Sequence, residues 1–396
     1  MTGILDYVNW RGDLTFEQSP FNEIDALVLC QMSYINFSGF VNNSFDYKVT
    51  YRELYQRYQD DSNFQKQADL GLIINSKTLD LFKLVGQSDR FGSIKPCGYV
   101  QDYSQAKQEQ FSAITNVLSD GTVFVAYRGT DDSIVGLKED FNLALMDEIP
   151  AQRDSLAYLK NAIAALRSSF KFRVGGHSKG GNCAIYACAY LDPEEKTALY
   201  KIYNNDGPGF TQERLNSENF KSIRSLIESY YPKFSIVGML FESDSEYQVI
   251  DNDAVLIFQH DLFSWHILGK HFVTVPTFKS GSEFFGETFN DWYSSLDLDK
   301  KKKFIDTMFM VLEASGAKTY QEFVEHFAKN SIASLASLKN VDADTAKAVM
   351  TCFGALIKSA GKTIIANGRE EEENLIEDSS KKKGRFSSLM SQLMQP

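Results

Sequence analysis

Histidine is scarce in this chain: there are five among 396 residues, His177, His260, His266, His271 and His326. Any chemistry that needs a base near neutral pH therefore has few places to reside. Cysteine is as sparse, with five scattered residues, Cys30, Cys97, Cys183, Cys188 and Cys352. The odd count and the lack of metal-ligand spacing argue against a disulfide framework or a metal site, and suit reduced thiols in the cytoplasm. Positive charge is in deficit, 41 Lys and Arg against 52 Asp and Glu, and the net charge of -11 argues against a general nucleic-acid or anionic-membrane binder. No uncharged apolar run approaches the length of a membrane span. The opening MTGILDYVNWRGD carries Asp6, Arg11 and Asp13 and lacks the apolar stretch of a signal peptide. No internal repeat is present. What remains, 43% hydrophobic and 23% charged, is the composition of a globular protein longer than one core usually serves.

Against that background one stretch stands out, Val174-Gly175-Gly176-His177-Ser178-Lys179-Gly180-Gly181-Asn182. Gly176 to Gly180 matches G-x-S-x-G, a tight strand-to-helix turn that exposes a serine above a sheet. Lys171 to Val174 reads as the strand that feeds it, and Gly180 to Leu191 as a small-residue helix able to pack closely on the sheet. The plainer alternative is a glycine-rich turn with a capping serine.

The order of elements agrees. Residues 1–95 read as a helix-rich lead-in, with a helix start at Ser19-Pro20 and further helices at Tyr51 to Tyr58 and Leu79 to Leu84. Trp10-Arg11-Gly12-Asp13 reads as a turn with an Arg–Asp pair. A strand is expected at Cys97 to Asp102, a helix at Gln105 to Leu118, and a doubly buried strand at Thr122 to Tyr127. A helix at Ala151 to Ser169 precedes the elbow. A strand follows it at Leu199 to Asn204, then a charged helix at Glu213 to Ser229 and strands at Ser235 to Phe241 and Val255 to Phe258. This alternation over the catalytic core, 96–280, predicts an α/β fold with a mostly parallel sheet. A helical extension follows at 281–368, with helices at Lys303 to Ala314, Tyr320 to Lys329 and Thr345 to Ala360. A charged linker and amphipathic tail close the chain at 369–396. The tail, Phe386, Leu389, Met390, Leu393 and Met394, reads either as a terminal helix on its own domain or as a contact for a membrane surface or partner protein.

A serine hydroxyl needs a base, and the base needs an orienting acid. His177 should point away from the catalytic face of an elbow, and His326 lies in the extension. His260 directly follows a strand, whereas His266 and His271 read as structural. For the acid, Asp206 is the first choice and Asp244 the second; a turn-forming role for Asp206 before Gly-Pro-Gly stays open. The backbone amides of Thr130 and Lys179 are the candidate oxyanion donors. The Lys179 ammonium reads as a solvated charge at the rim.

At these residues the chain resembles the α/β-hydrolases, and the fungal-type (class 3) lipases in particular. Val125-Ala126-Tyr127-Arg128-Gly129-Thr130 resembles that family's oxyanion segment, and Gly176 to Gly181 its elbow. Ile4-Leu5-Asp6-Tyr7, Trp10 to Leu14 and Gln259 to Trp265 resemble an uncharacterised bacterial branch of these proteins. The resemblance implies an α/β-hydrolase core over residues 1–280 and a serine hydrolase of carboxylic esters or thioesters that forms an acyl-enzyme. Neither metal nor organic cofactor is implied, and the partner is a small acyl-ester substrate. Two alternatives stand beside it: an acyltransferase on the same triad, and a catalytically silent hydrolase fold used for binding or regulation. The chain departs from the lipase pattern at Lys179 and Asn182, and in having no carboxylate at Ser235-Ile236-Val237.

Overall fold

The computed structural model describes residues 2–67, 75–104, 109–130, 143, 148–233, 235, 237–238, 246–254 and 259–277, and beyond these 299–300, 303, 307, 310, 341–342 and 345–346. The chain forms two compact units, Met1–Asn340 and Val341–Pro396.

The first unit is built on an eight-stranded sheet. Its strands are β1 (Lys95–Ser104), β2 (Glu109–Val117), β3 (Thr122–Tyr127), β4 (Lys171–His177), β5 (Leu199–Asn205), β6 (Ile227–Pro232), β7 (Tyr247–Ile250) and, beyond the small hairpin of β8 (Ile267–Leu268) and β9 (His271–Phe272), β10 (Thr274–Val275). The spatial order is β1-β2-β3-β4-β5-β6-β7-β10. β3 to β7 run parallel, and β1, β2 and β10 add antiparallel edges.

β3 shows why the sheet is central. Val123, Val125 and Tyr127 join a core with α5 (Pro150–Leu166) and α6 (Lys179–Ala189), whose buried residues include Leu159, Ile163 and Ala184. Phe124 and Ala126 point the other way, into a core with α1 (Ile4–Arg11), α2 (Glu23–Met32), α3 (Tyr51–Asp60) and α4 (Lys77–Gln87). A strand buried on both faces has no polar side, which is the continuous apolar pattern of its sequence. Helices α1 to α4 of the lead-in thus form one covering layer of the sheet. Parallel central strands, helices on both faces and a strand–turn–helix at Ser178 make this an α/β-hydrolase fold.

Several elements differ from expectation. Glu109–Val117 lies in a strand, not in a helix over Gln105 to Leu118. It pairs with both β1 and β3, and 110–118 are buried throughout. One face of a helix would stay wet there, and Ile114, Thr115 and Val117 favour the extended chain. Helix α2 starts at Glu23, capped by Asn22, rather than at Ser19-Pro20. Asn22 Oδ1 accepts from the Ile24 amide at 2.9 Å, and Asp25 Oδ2 accepts from the Asn22 amide at 2.9 Å. The Ser19 and Pro20 carbonyls are taken instead by the Arg90 guanidinium, at 2.9 and 3.3 Å.

The expected helix over Glu213 to Ser229 breaks into single turns at Gln212–Leu215 and Glu218–Lys221, and its last three residues open β6. Residues 235, 237 and 238, expected in a strand, lie outside the sheet. The predicted strand Val255 to Phe258, and the stretches 278–298, 311–340 and 347–396, lie outside the described residues. Asp299, Lys300, Lys303, Thr307 and Met310 are helical, in and just before the first predicted helix of the extension. In the second unit, Thr345 and Ala346 are helical, and the Asp342 side chain accepts from the Thr345 amide at 2.9 Å.

Candidate active site

The elbow forms because two glycines let β4 and α6 come together. A Cβ on Gly176 would fall on the Gly180 backbone, and one on Gly180 would fall on the Tyr127 carbonyl. Ser178 between them has φ 57 and ψ -133, a conformation that L residues adopt at a cost of about 1–3 kcal/mol. Its amide donates to the Asn205 carbonyl at 3.0 Å, and its carbonyl accepts from the Gly181 amide at 2.9 Å. From Phe172 to Ala189, all of them described, every residue is buried except Ser178, which is partly exposed. The turn therefore offers one side chain to the outside.

Among the described residues, Asp206 is the other non-glycine with positive φ, at 50. The turn beneath it is made by Asn204, whose Oδ1 accepts from the Gly207 amide at 3.0 Å. That leaves the Asp206 carboxylate, 1% exposed, for other partners. Oδ2 lies 2.6 Å from His260 Nδ1, and Oδ1 accepts from the Ser235 hydroxyl, whose oxygen in turn accepts from the Gly238 amide at 2.9 Å. A carboxylate only accepts, so Nδ1 carries the proton and His260 Nε2 is the ring's acceptor.

The His260 loop is pinned on both sides. Trp265, fully buried, donates its Nε1 proton to the Gln259 carbonyl at 2.8 Å. Asp261 accepts from Asn75 Nδ2 at 2.7 Å and from the Phe263 amide at 3.0 Å. Burial raises the Asp261 carboxyl above the usual range, against the pull of those two bonds.

The remaining predicted residues fall out as follows. Thr130 is buried, and the loop before it lies on the elbow: a Cβ on Gly129 would stand 3.1 Å from the Ser178 Cβ. Lys179 follows Ser178 at the start of α6, but its ammonium is not a solvated rim charge. Its side chain is buried and donates to the Gln110 carbonyl at 2.9 Å, because β2, expected as a helix, runs past it as a strand. Asp244 lies outside the described residues, as do His326 and Cys352. His266 is buried 3.2 Å from Asp251 and 2.8 Å from Asp253, and His271 meets Glu23 at 2.7 Å. Both are tied into structure.

Three neighbours of the site were given no part in it by sequence reasoning. Ser235 holds the far oxygen of Asp206; nothing local marks it. Asn182 takes Gln152 Nε2 on its oxygen at 2.8 Å and donates to the Pro208 and Gly209 carbonyls at 3.0 and 3.1 Å, fastening the 206–210 loop to α6. Its signal is the departure from the lipase pattern at this position. His177, expected to point away from the catalytic face, is buried with its ring 4.4 Å from that of His260.

Among the described residues, no group of three or more His, Cys, Asp and Glu is arranged to hold a metal ion, and no helix is long and apolar enough to cross a membrane. The four described cysteines are buried, and burial pushes the Cys97 thiol up to about 12.

A family model described as Mbeg1-like matches residues 85–310, more than half of the chain. Comparison with curated proteins finds no match. Among solved structures, the chain is similar to that of M37 lipase, at 15% identity and a TM-score of 0.34, over 56% of this chain and 70% of that one. It is also similar to a putative dienelactone hydrolase from Klebsiella pneumoniae subsp. pneumoniae MGH 78578, at 11% identity and a TM-score of 0.24, over 51% of this chain and 99% of that one.

Proposed function

The chain belongs to the Mbeg1-like family, and from that premise we propose that it is a serine hydrolase of carboxylic esters or thioesters, allied to the fungal-type lipases. Ser178 attacks the acyl carbonyl. His260 Nε2 takes its proton and later delivers it to the leaving group. Asp206 holds His260 in the Nδ1–H tautomer and stabilises the imidazolium that forms. The amides of Thr130 and Lys179 receive the negative charge on the carbonyl oxygen, each such donor being worth about 3–4 kcal/mol in the transition state. Water then hydrolyses the acyl-enzyme. No metal enters this scheme, and the reduced cysteines suit the cytoplasm.

The observation that carries the reading is the 2.6 Å contact of His260 with a buried Asp206, taken together with a strained and partly exposed serine at the elbow. A silent hydrolase fold drew its support from the missing carboxylate near Ser235. Asp206, one strand earlier, fills that role in the scheme and removes the support.

Labelling with a fluorophosphonate probe tests the proposal. The wild-type chain should label, and Ser178→Ala and His260→Ala should not. A wild-type chain that stays unlabelled would sink the reading. p-Nitrophenyl esters of increasing length then report the acyl chain the site takes.

A further inference from the structure

His177 is buried, and both of its ring nitrogens are engaged. Nε2 lies 2.9 Å from the His260 carbonyl, and Nδ1 lies 2.9 Å from the Tyr34 hydroxyl. A carbonyl oxygen can only accept, so Nε2 carries the proton; Nδ1 is then bare and accepts from Tyr34. This is the neutral ring. Burial, and after it the neighbouring His260, hold its pKa well below the usual histidine range. With one nitrogen donating to a carbonyl and the other receiving a hydroxyl, His177 has no free position from which to move a substrate proton.

It nonetheless makes two contacts with His260, one to its ring and one to its backbone. The Asp206 bond fixes how the His260 ring is turned within its plane. The His177 ring, at 4.4 Å and 34° to it, lies against its face and limits its tilt. The bond from Nε2 holds the backbone of His260 itself, whereas Trp265 and Asn75 act on its two neighbours. We infer that His177 is a positioning residue for the base, fixing the backbone and ring of His260, and that Tyr34 fixes His177 in turn. Tyr34 lies just after α2, so the layer formed by the lead-in reaches the site through it. The same pair borders the oxyanion loop: a Cβ on Gly129 would strike the Tyr34 hydroxyl and come within 2.6 Å of the His177 carbonyl.

This inference rests on the Ser178–His260–Asp206 reading, and its test separates the two. Fluorophosphonate labelling rates, and kcat and KM on a p-nitrophenyl ester, are measured for wild type, His177→Phe, His177→Gln and Tyr34→Phe, with melting curves to show that each is folded. Phenylalanine keeps the ring and removes the donor; glutamine keeps an N–H near the position of Nε2. His177→Phe should lose about 10–100-fold in kcat and labelling rate with KM unchanged, as expected for a misplaced reacting group. His177→Gln should recover most of that loss. If His177→Phe keeps full kcat, or if glutamine does no better than phenylalanine, the inference fails while labelling of the wild type leaves the triad reading standing. If the wild type does not label, the triad reading fails first. Should His177→Phe not fold, Tyr34→Phe decides: a lower kcat at unchanged KM supports the inference, and an unchanged kcat overturns it.

Discussion

Asp206 joins backbone strain to side-chain chemistry. Its positive φ turns the carboxylate back over the sheet, where Ser235 and His260 each take one oxygen. Replacing it with asparagine keeps the shape but offers an amide where His260 Nδ1–H donates, favouring the wrong tautomer. Asp206→Asn should lower kcat by roughly 10⁴-fold, while Asp244→Asn leaves it unchanged; steady-state kinetics on one ester decides. His177 gives a stability prediction of fixed sign. Its folded pKa lies well below the 6.5 of an exposed histidine, so between these values the unfolded chain holds a proton that the folded chain does not. Stability therefore rises with pH across that interval and is lost as pH falls below about 6.5, with a slope of up to about 1.4 kcal/mol per pH unit. Urea unfolding of His177→Gln at several pH values should lack this component. Ser178 was legible because its turn chemistry is written in adjacent residues. His177 was not, because the residue that matters to it lies 83 positions away.

The elbow is the element on which the others converge. β4 and α6 meet through Gly176 and Gly180 with no room for a side chain. Gly176→Ala should cost about 1–3 kcal/mol in forced shifts and should abolish labelling, because the turn must open to admit the methyl; a melting curve with probe labelling reads both. The elbow strand and helix were legible in outline, since their apolar and small-residue runs are local signals. β2 and β6 were not. Each lies where helical spacing is present in the sequence, and each is held extended by partners on both sides, β1 and β3 for one, β5 and β7 for the other. Tertiary pairing overrides a weak local preference in both.

Across the first unit, the layer formed by α1 to α4 is fastened by a buried ion pair. Arg90 and Asp25, both fully enclosed, meet at 2.6 Å, and Arg90 also donates to the carbonyls of Leu14, Thr15, Ser19 and Pro20. Tyr7 adds its hydroxyl to Asp25 at 2.9 Å. Arg90→Met leaves a buried carboxylate without its cation and should destabilise by about 3–5 kcal/mol, with Asp25→Leu in the same chain restoring part of it; urea unfolding of the single and double variants measures this. Every candidate site residue falls within Met1–Asn340. A chain ending at residue 340 should therefore keep its labelling rate, and any binding to anionic vesicles contributed by the amphipathic tail should vanish with residues 341–396.

By itself, the sequence determined the strand–turn–helix at Ser178, the doubly buried β3, the alternation that makes the sheet mostly parallel, and the short roster of histidines from which His260 emerged. These are properties of adjacent residues: glycine where a Cβ has no room, apolar runs where both faces are covered. Tertiary structure alone decided which carboxylate meets His260, which helical-looking segments become strands, where the Lys179 ammonium goes, and that His177 lies against the base. Those depend on residues brought together from distant segments. A side chain's partner there is set by how the sheet and its covering layers pack, and no local spacing encodes it.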